Sequence, residues 1–149
     1  MKEIRVHSLK ETEELAIQIA KCLSVPALIT LSGDLGAGKT TFTKGLAKGL
    51  KIEGTITSPT FTILKSYEGN NITLHHMDAY RLEGIVQDLG FDEELYDDTA
   101  VCVIEWSHFI EYALPKERLE ITIEIDKEDR LFHIEAIGSK YETILEALS

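Results

Sequence analysis

The chain has 149 residues, 44% of them hydrophobic, and a formal net charge of -11. That length fits one domain and that apolar share can form a core, so residues 1–149 are read as a single domain. The negative field repels a phosphate backbone, which disfavours tight, direct binding of nucleic acid by this chain alone. No stretch approaches the ~18 apolar residues of a membrane span. Met1 to His7 lacks the apolar region of a signal peptide. The expectation is a cytoplasmic protein with no membrane association.

In chain order, Ile4 to Val6 reads as a short strand, and Ser8-Leu9-Lys10-Glu11 is a capping box that predicts a helix start at Ser8. Leu15, Ala16, Ile19, Ala20 and Leu23 form the apolar stripe of that helix, and Thr12 sits one turn before Ala16 as a half-buried helix threonine. Ala27 to Ser32 is an apolar run of buried-strand length. Gly33-Asp34-Leu35-Gly36-Ala37-Gly38-Lys39-Thr40 then matches the phosphate-binding loop G-x-x-x-x-G-K-[ST]. Phe42, Leu46 and Leu50 follow at the spacing of one helix face. Strand, glycine loop and helix are the context that this motif requires.

The glycines bring backbone amides close to a phosphate, and the helix beginning near Lys39 turns its unpaired N–H groups toward the anion. Lys39 is expected to face solvent in the empty loop and to reach the β- and γ-phosphates, while the Thr40 hydroxyl is expected to ligate Mg²⁺. A glycine turn before an ordinary helix is the alternative. Gly45, inside the helix, costs roughly 1 kcal/mol relative to alanine, with close packing as its only evident reason.

Thr55-Ile56-Thr57-Ser58-Pro59-Thr60-Phe61 reads as a polar connection or a switch loop. Phe61 to Tyr67 and Ile72 to Met77 read as a β-hairpin that exits at His76-Met77-Asp78-Ala79-Tyr80-Arg81. Helical segments with Ile85, Val86 and Leu89 follow, then a turn at Asp92 to Tyr96. Ala100 to Ile104 is apolar throughout, the pattern of a parallel strand buried on both faces. It ends in Glu105-Trp106. An acid at the carboxyl end of such a strand stands where ligands bind in open α/β sheets, as a metal ligand or as a capping or ion-paired Glu. Trp106 belongs to core or site. Cys22 and Cys102 are read as reduced core thiols.

Leu119 to Ile125 and Phe132 to Ala136 alternate apolar with polar across the Asp126-Lys127-Glu128-Asp129 turn, which predicts an antiparallel hairpin at the sheet edge. Ser139-Lys140-Tyr141-Glu142 reads as a second capping box before a last helix lined by Tyr141, Ile144, Leu145 and Leu148. The expected fold is a three-layer α/β phosphate-loop NTPase domain with a mixed, mainly parallel sheet and an antiparallel edge hairpin. The base-reading motif N-K-x-D of GTPases is absent. A small-molecule kinase with an arginine-rich lid is disfavoured by arginines at only Arg5, Arg81, Arg118 and Arg130. A non-catalytic nucleotide sensor stays open, because a phosphate loop implies binding and not turnover.

The phosphate loop with Thr41, together with Ser58-Pro59-Thr60-Phe61, His76-Met77-Asp78-Ala79-Tyr80-Arg81-Leu82 and Glu105-Trp106, resembles the TsaE (YjeE) family over essentially the whole chain. The resemblance implies a bacterial, slow, Mg²⁺-dependent ATPase for threonylcarbamoyladenosine formation in tRNA. It would be accessory to a TsaB–TsaD pair that holds the tRNA. It implies that Gly36, Ala37, Gly38, Lys39, Thr40 and Thr41 bind ATP phosphates and that Thr12 contacts the nucleoside end. It also implies that Thr40 and Glu105 hold Mg²⁺ and that Asp78, catalytic with Lys39, acts near the attacking water or the metal, with either acid open as the direct metal ligand. Ser58 and Thr60 would form a switch-like loop, with His76, Tyr80, Arg81 and Trp106 in support.

Overall fold

A computed structural model of the chain describes residues 1–34, 36–57, 64–79, 92–111 and 114–148. The elements are β1 (Lys2–Val6), α1 (Leu9–Cys22), β2 (Ala27–Gly33), α2 (Lys39–Gly49), β3 (Leu64–Glu68), β4 (Thr73–Asp78), α3 (Asp92–Leu95), β5 (Ala100–Glu105), a 3₁₀ helix (Ser107–Phe109), β6 (Arg118–Asp126), β7 (Asp129–Ile137) and α4 (Ser139–Ala147). The expected helix around Ile85, Val86 and Leu89 and the start of the first hairpin at Phe61 lie outside the described residues.

The strands form one sheet in the order β1-β7-β6-β2-β5-β4-β3. The two predominantly apolar runs, β2 and β5, are adjacent, parallel and central, with Ala27 opposite Val101 and Leu31 opposite Glu105. β6 is parallel to β2 on the other side, and β4 is parallel to β5. The β6–β7 hairpin extends the sheet antiparallel, as its alternation predicts. It is not itself the edge, because β1 pairs along β7 from Lys2–Ile134 to Val6–Arg130. The sheet is mixed, as expected. Its strand pairings are evenly divided rather than mainly parallel, with three parallel and three antiparallel among the described residues.

Successive residues of a strand face opposite sides, and β2 shows the consequence. Ile29 and Leu31 join Ile19, Phe42, Leu46 and Phe132 in the larger core, under α1, α2 and α4. Leu28 instead joins Met77, Leu95, Cys102, Ile104 and Ile110 on the opposite face, beside α3 and the 3₁₀ helix. Tyr141 ties α4 to the central strand, its hydroxyl accepting from the Leu28 amide at 2.9 Å.

Ser8 caps α1 as predicted, accepting from the Glu11 amide at 3.1 Å. The second expected capping box does not form. Gly138 is the residue before α4, with φ 106°, and its carbonyl accepts from the amides of Tyr141 and Glu142, which makes Ser139 the first helical residue. Close packing of α1 on α2 accounts for Gly45. A Cβ there would stand 2.7 Å from the Glu13 carbonyl oxygen and 2.8 Å from the Ala16 Cβ. Gly49, one turn on, is as tight against Ala20 at 2.6 Å.

Candidate active site

The site is built at the carboxyl ends of β2, β4 and β5, where the phosphate loop turns the chain into α2. Gly36 and Gly38 take φ of 84° and 106°, left-handed values that a side chain rarely adopts. Gly38 precedes the first residue of α2 and supplies no side-chain cap. The first amides of the helix are thus left to an outside acceptor, and the helix dipole favours an anion there. Ala37 is buried, and its amide closes the turn on the Asp34 carbonyl at 3.0 Å. Thr40 and Thr41 are half-buried in the first turn of α2.

Thr12 approaches the loop from α1. It is buried rather than half-buried, with 1% exposure. Its methyl group lies 4.0 Å from where a Cβ of Gly38 would be, and its hydroxyl has no hydrogen-bond partner among the described residues. A buried hydroxyl without a partner is costly. With its methyl group against Gly38, Thr12 brings an available hydrogen-bonding group beside the loop.

Lys39 corrects the sequence expectation. It does not face solvent. Its Nζ lies 3.6 Å from Glu105 Oε1 and 5.1 Å from the centre of the Trp106 ring. Glu105 ends β5, and its other oxygen, Oε2, accepts from His76 Nε2 at 2.7 Å. Asp78, 4% exposed, ends β4 directly opposite Glu105 in the parallel register. Register partners point to the same face, so both acids belong to the face that carries α2. Trp106 adopts the left-handed conformation, φ 59° and ψ 38°. For a residue with a bulky side chain this costs on the order of 1–3 kcal/mol. The turn takes the chain off β5 with the indole over the Lys39 ammonium.

A cleft of about 470 Å³ opens beside this cluster, lined among others by Asp34, Lys39, Trp106, His108, Glu124 and His133. Among the described residues no group of three or more His, Cys, Asp and Glu side chains is arranged to hold a metal. Mg²⁺ is commonly held by one or two side chains, with water and phosphate oxygens completing its shell.

The structure thus brings together Lys39, Glu105, Trp106 and His76, with Asp78 next to Glu105 and Thr12 at Gly38. Ser58, Thr60, Tyr80 and Arg81 lie outside the described residues. One residue near the loop escaped the sequence reading. Arg130, at the start of β7, donates from Nη2 to the Gly36 carbonyl at 3.3 Å. Its only signal was its place just past a hairpin turn, which does not reveal that this turn lies against the loop.

Both cysteines are unbridged, as expected. Burial pushes the Cys102 thiol up to about 12, and its Sγ lies 3.0 Å from the Glu94 carbonyl oxygen. On the same face, His75 bridges Ser66 at 2.7 Å and Asp97 at 3.0 Å. That hydrogen bond, with those from the Thr99 amide and hydroxyl, holds the Asp97 carboxyl at about 2.

Residues 6–132 match the family model described as threonylcarbamoyl adenosine biosynthesis protein TsaE. The chain is 45% identical to the tRNA threonylcarbamoyladenosine biosynthesis protein TsaE of Bacillus subtilis (strain 168), over 100% of this chain and 96% of that protein. It is 42% identical to the protein of the same description from Treponema pallidum (strain Nichols), over 79% of this chain and 87% of that one. Among solved structures it is similar to Bacillus subtilis YdiB, with a TM-score of 0.82 and 39% identity, covering 97% of this chain and 91% of the other.

Proposed function

The chain belongs to the TsaE family of threonylcarbamoyl adenosine biosynthesis proteins, and from that premise we propose that it is an accessory ATP-binding and ATP-hydrolysing subunit for threonylcarbamoyladenosine modification of tRNA. One observation carries the nucleotide reading. An uncapped helix start after Gly38 places the Lys39 ammonium against the acid that ends the neighbouring strand. A helix terminus with open amides, a lysine and an acid are the parts that phosphate-loop enzymes use.

The residues present fit ATP and Mg²⁺. The amides from Gly36 to Thr41 and the Lys39 ammonium would hold the phosphates. The Thr12 hydroxyl would accept or donate toward the nucleoside end. Thr40 and Glu105 would hold Mg²⁺, which would supply neutralisation of the phosphate charge. Lys39 must leave Glu105 to reach a phosphate, so binding exchanges one charge pair for two new ones. Asp78, beside Glu105 and buried, would orient the attacking water and accept its proton. Trp106 would limit water access over Lys39.

A net charge of -11 suits work in a complex whose other members hold the tRNA, here a TsaB–TsaD-like pair in the cytoplasm. No helix among the described residues is long and apolar enough to cross a membrane. The test is ATP hydrolysis by the chain alone and with the TsaB–TsaD pair. Slow turnover that the pair stimulates supports the proposal. Phosphate transfer to a small acceptor would make the chain a kinase, and tight binding without turnover would make it a sensor.

A further inference from the structure

Two histidines stand side by side on β4, and the strand sends them to opposite faces. His75 has partners at both ring nitrogens, Ser66 and Asp97, and ties the β3–β4 hairpin to the turn after α3. His76 is fully buried on the other face. It has one partner among the described residues, Glu105, and its Nδ1 has none. A carboxylate accepts and does not donate, so the ring donates from Nε2.

A buried imidazole with one nitrogen unsatisfied is an expensive way to fill space. Leu74 fills the same face of β4 two residues earlier at no such cost. What His76 provides and a leucine would not is a fixed N–H aimed at one oxygen of Glu105. A glutamate side chain has three rotatable torsions, and among the described residues its only other side-chain partner is Lys39, on Oε1. Lys39 is also the group that must turn away when a phosphate arrives. Once it does, His76 is the contact that keeps the carboxylate from swinging.

We propose that His76 is the positioning residue of Glu105. It holds Oε2 and so presents Oε1 toward the phosphate loop for a divalent cation. The inference rests on the reading of this loop as a Mg²⁺–nucleotide site. Partners behind a metal ligand of this kind typically change metal affinity by about 10–100-fold when removed.

The test is calorimetric titration of ATP into wild type, His76→Gln, His76→Leu and His76→Asn across a series of Mg²⁺ concentrations and without Mg²⁺. Glutamine can place an amide N–H near the position of Nε2 and should keep the wild-type Mg²⁺ midpoint. Leucine provides no donor and asparagine is too short to reach. Both should raise the midpoint by about 10–100-fold while leaving Mg²⁺-free ATP affinity near wild type. A role in core packing alone would lower the melting temperature without moving the midpoint. Equal midpoints in wild type and in folded Leu or Asn variants would overturn the proposal, as would failure of both variants to fold. Wild type whose ATP binding ignores Mg²⁺ would instead overturn the reading of the site, and this inference with it.

Discussion

Lys39 and Glu105 form an ion pair whose side chains are only 12% and 6% exposed, joining the start of α2 to the end of β5. The lysine expected to wait for a phosphate in solvent therefore already has a partner, and its removal affects the fold as well as the ligand. Lys39→Ala leaves Glu105 buried with His76 as its one remaining side-chain partner among the described residues. Such a loss costs about 1–3 kcal/mol. The expected outcome is no measurable ATP binding together with a lower urea midpoint. Adding Glu105→Gln removes the stranded charge and should recover part of that stability but none of the binding. A Lys39→Ala protein with unchanged midpoint would show that the pair contributes nothing to the fold.

The same pair competes with nucleotide. Glu105→Gln releases Lys39 and removes a negative charge beside the phosphates, so ATP without Mg²⁺ should bind roughly 3–10-fold more tightly, or ~0.7–1.4 kcal/mol. The gain in affinity that Mg²⁺ brings to wild type should be lost in this variant. Asp78→Asn should behave differently, with near-normal Mg²⁺-dependent binding and loss of partner-stimulated turnover. Binding titrations and a turnover assay on both variants check this division. The reverse pattern would exchange the roles of the two acids.

Helix propensity and packing predict opposite signs at Gly45. In an open helix, Gly→Ala stabilises by roughly 1 kcal/mol. Here the added methyl would meet the Glu13 backbone oxygen at 2.7 Å, and at Gly49 it would meet the Ala20 Cβ at 2.6 Å. Forcing a methyl into a packed interface typically costs about 1–3 kcal/mol. Both alanine variants should therefore unfold at lower urea than wild type. A stabilised variant would mean that α1 and α2 separate easily.

Gly45 also marks where sequence reading stops. Its cost was visible along α2, but the reason sits on α1, about thirty residues earlier, and only the docked pair reveals it. What was legible is what a single element encodes alone. The apolar runs of β2 and β5 demand burial on both faces, the loop spacing demands a glycine turn into α2, and Ser8 with Glu11 demands a cap. The capping pattern at Ser139 failed because the preceding Gly138 takes over as the N-terminal acceptor. β1 covers β7 because its Ile4 and Val6 find the same core, a pairing that no local pattern reports. The His76–Glu105 contact depends on the register of β4 against β5, and the Arg130–Gly36 contact on where a hairpin turn meets a loop. Register and docking are properties of pairs, so these site contacts became visible only in three dimensions.

The two thiols should separate by burial. Cys102 is buried with its thiol held near 12, while Cys22 is half-buried at the end of α1. The reactive species is the thiolate, which the first environment suppresses. A disulfide reagent at pH 8 should modify Cys22 in the native protein and reach Cys102 only on unfolding. Mass spectrometry of peptides after a timed exposure distinguishes them, and rapid native labelling of Cys102 would mean that the face beneath α3 opens readily.

Asp97 sets an acid dependence whose sign follows from its partners. The His75 hydrogen bond, then the amide and hydroxyl of Thr99, lower its carboxyl from 3.8 to about 2, against an opposing contribution from burial. As pH falls, the unfolded chain takes up this proton near pH 3.8, and the folded chain takes it up only near pH 2. Between those values the unfolded state binds more protons, so stability drops with falling pH. The contribution is complete above about pH 4 and gone below about pH 2. Asp97→Asn has no carboxyl to titrate and lacks this contribution throughout. Urea midpoints of the two proteins should differ at pH 4.5 and converge as the pH is lowered toward 2, with wild type moving toward the variant. A gap that stays constant across that window would show that the His75–Asp97–Thr99 network does not hold its charge in the folded protein.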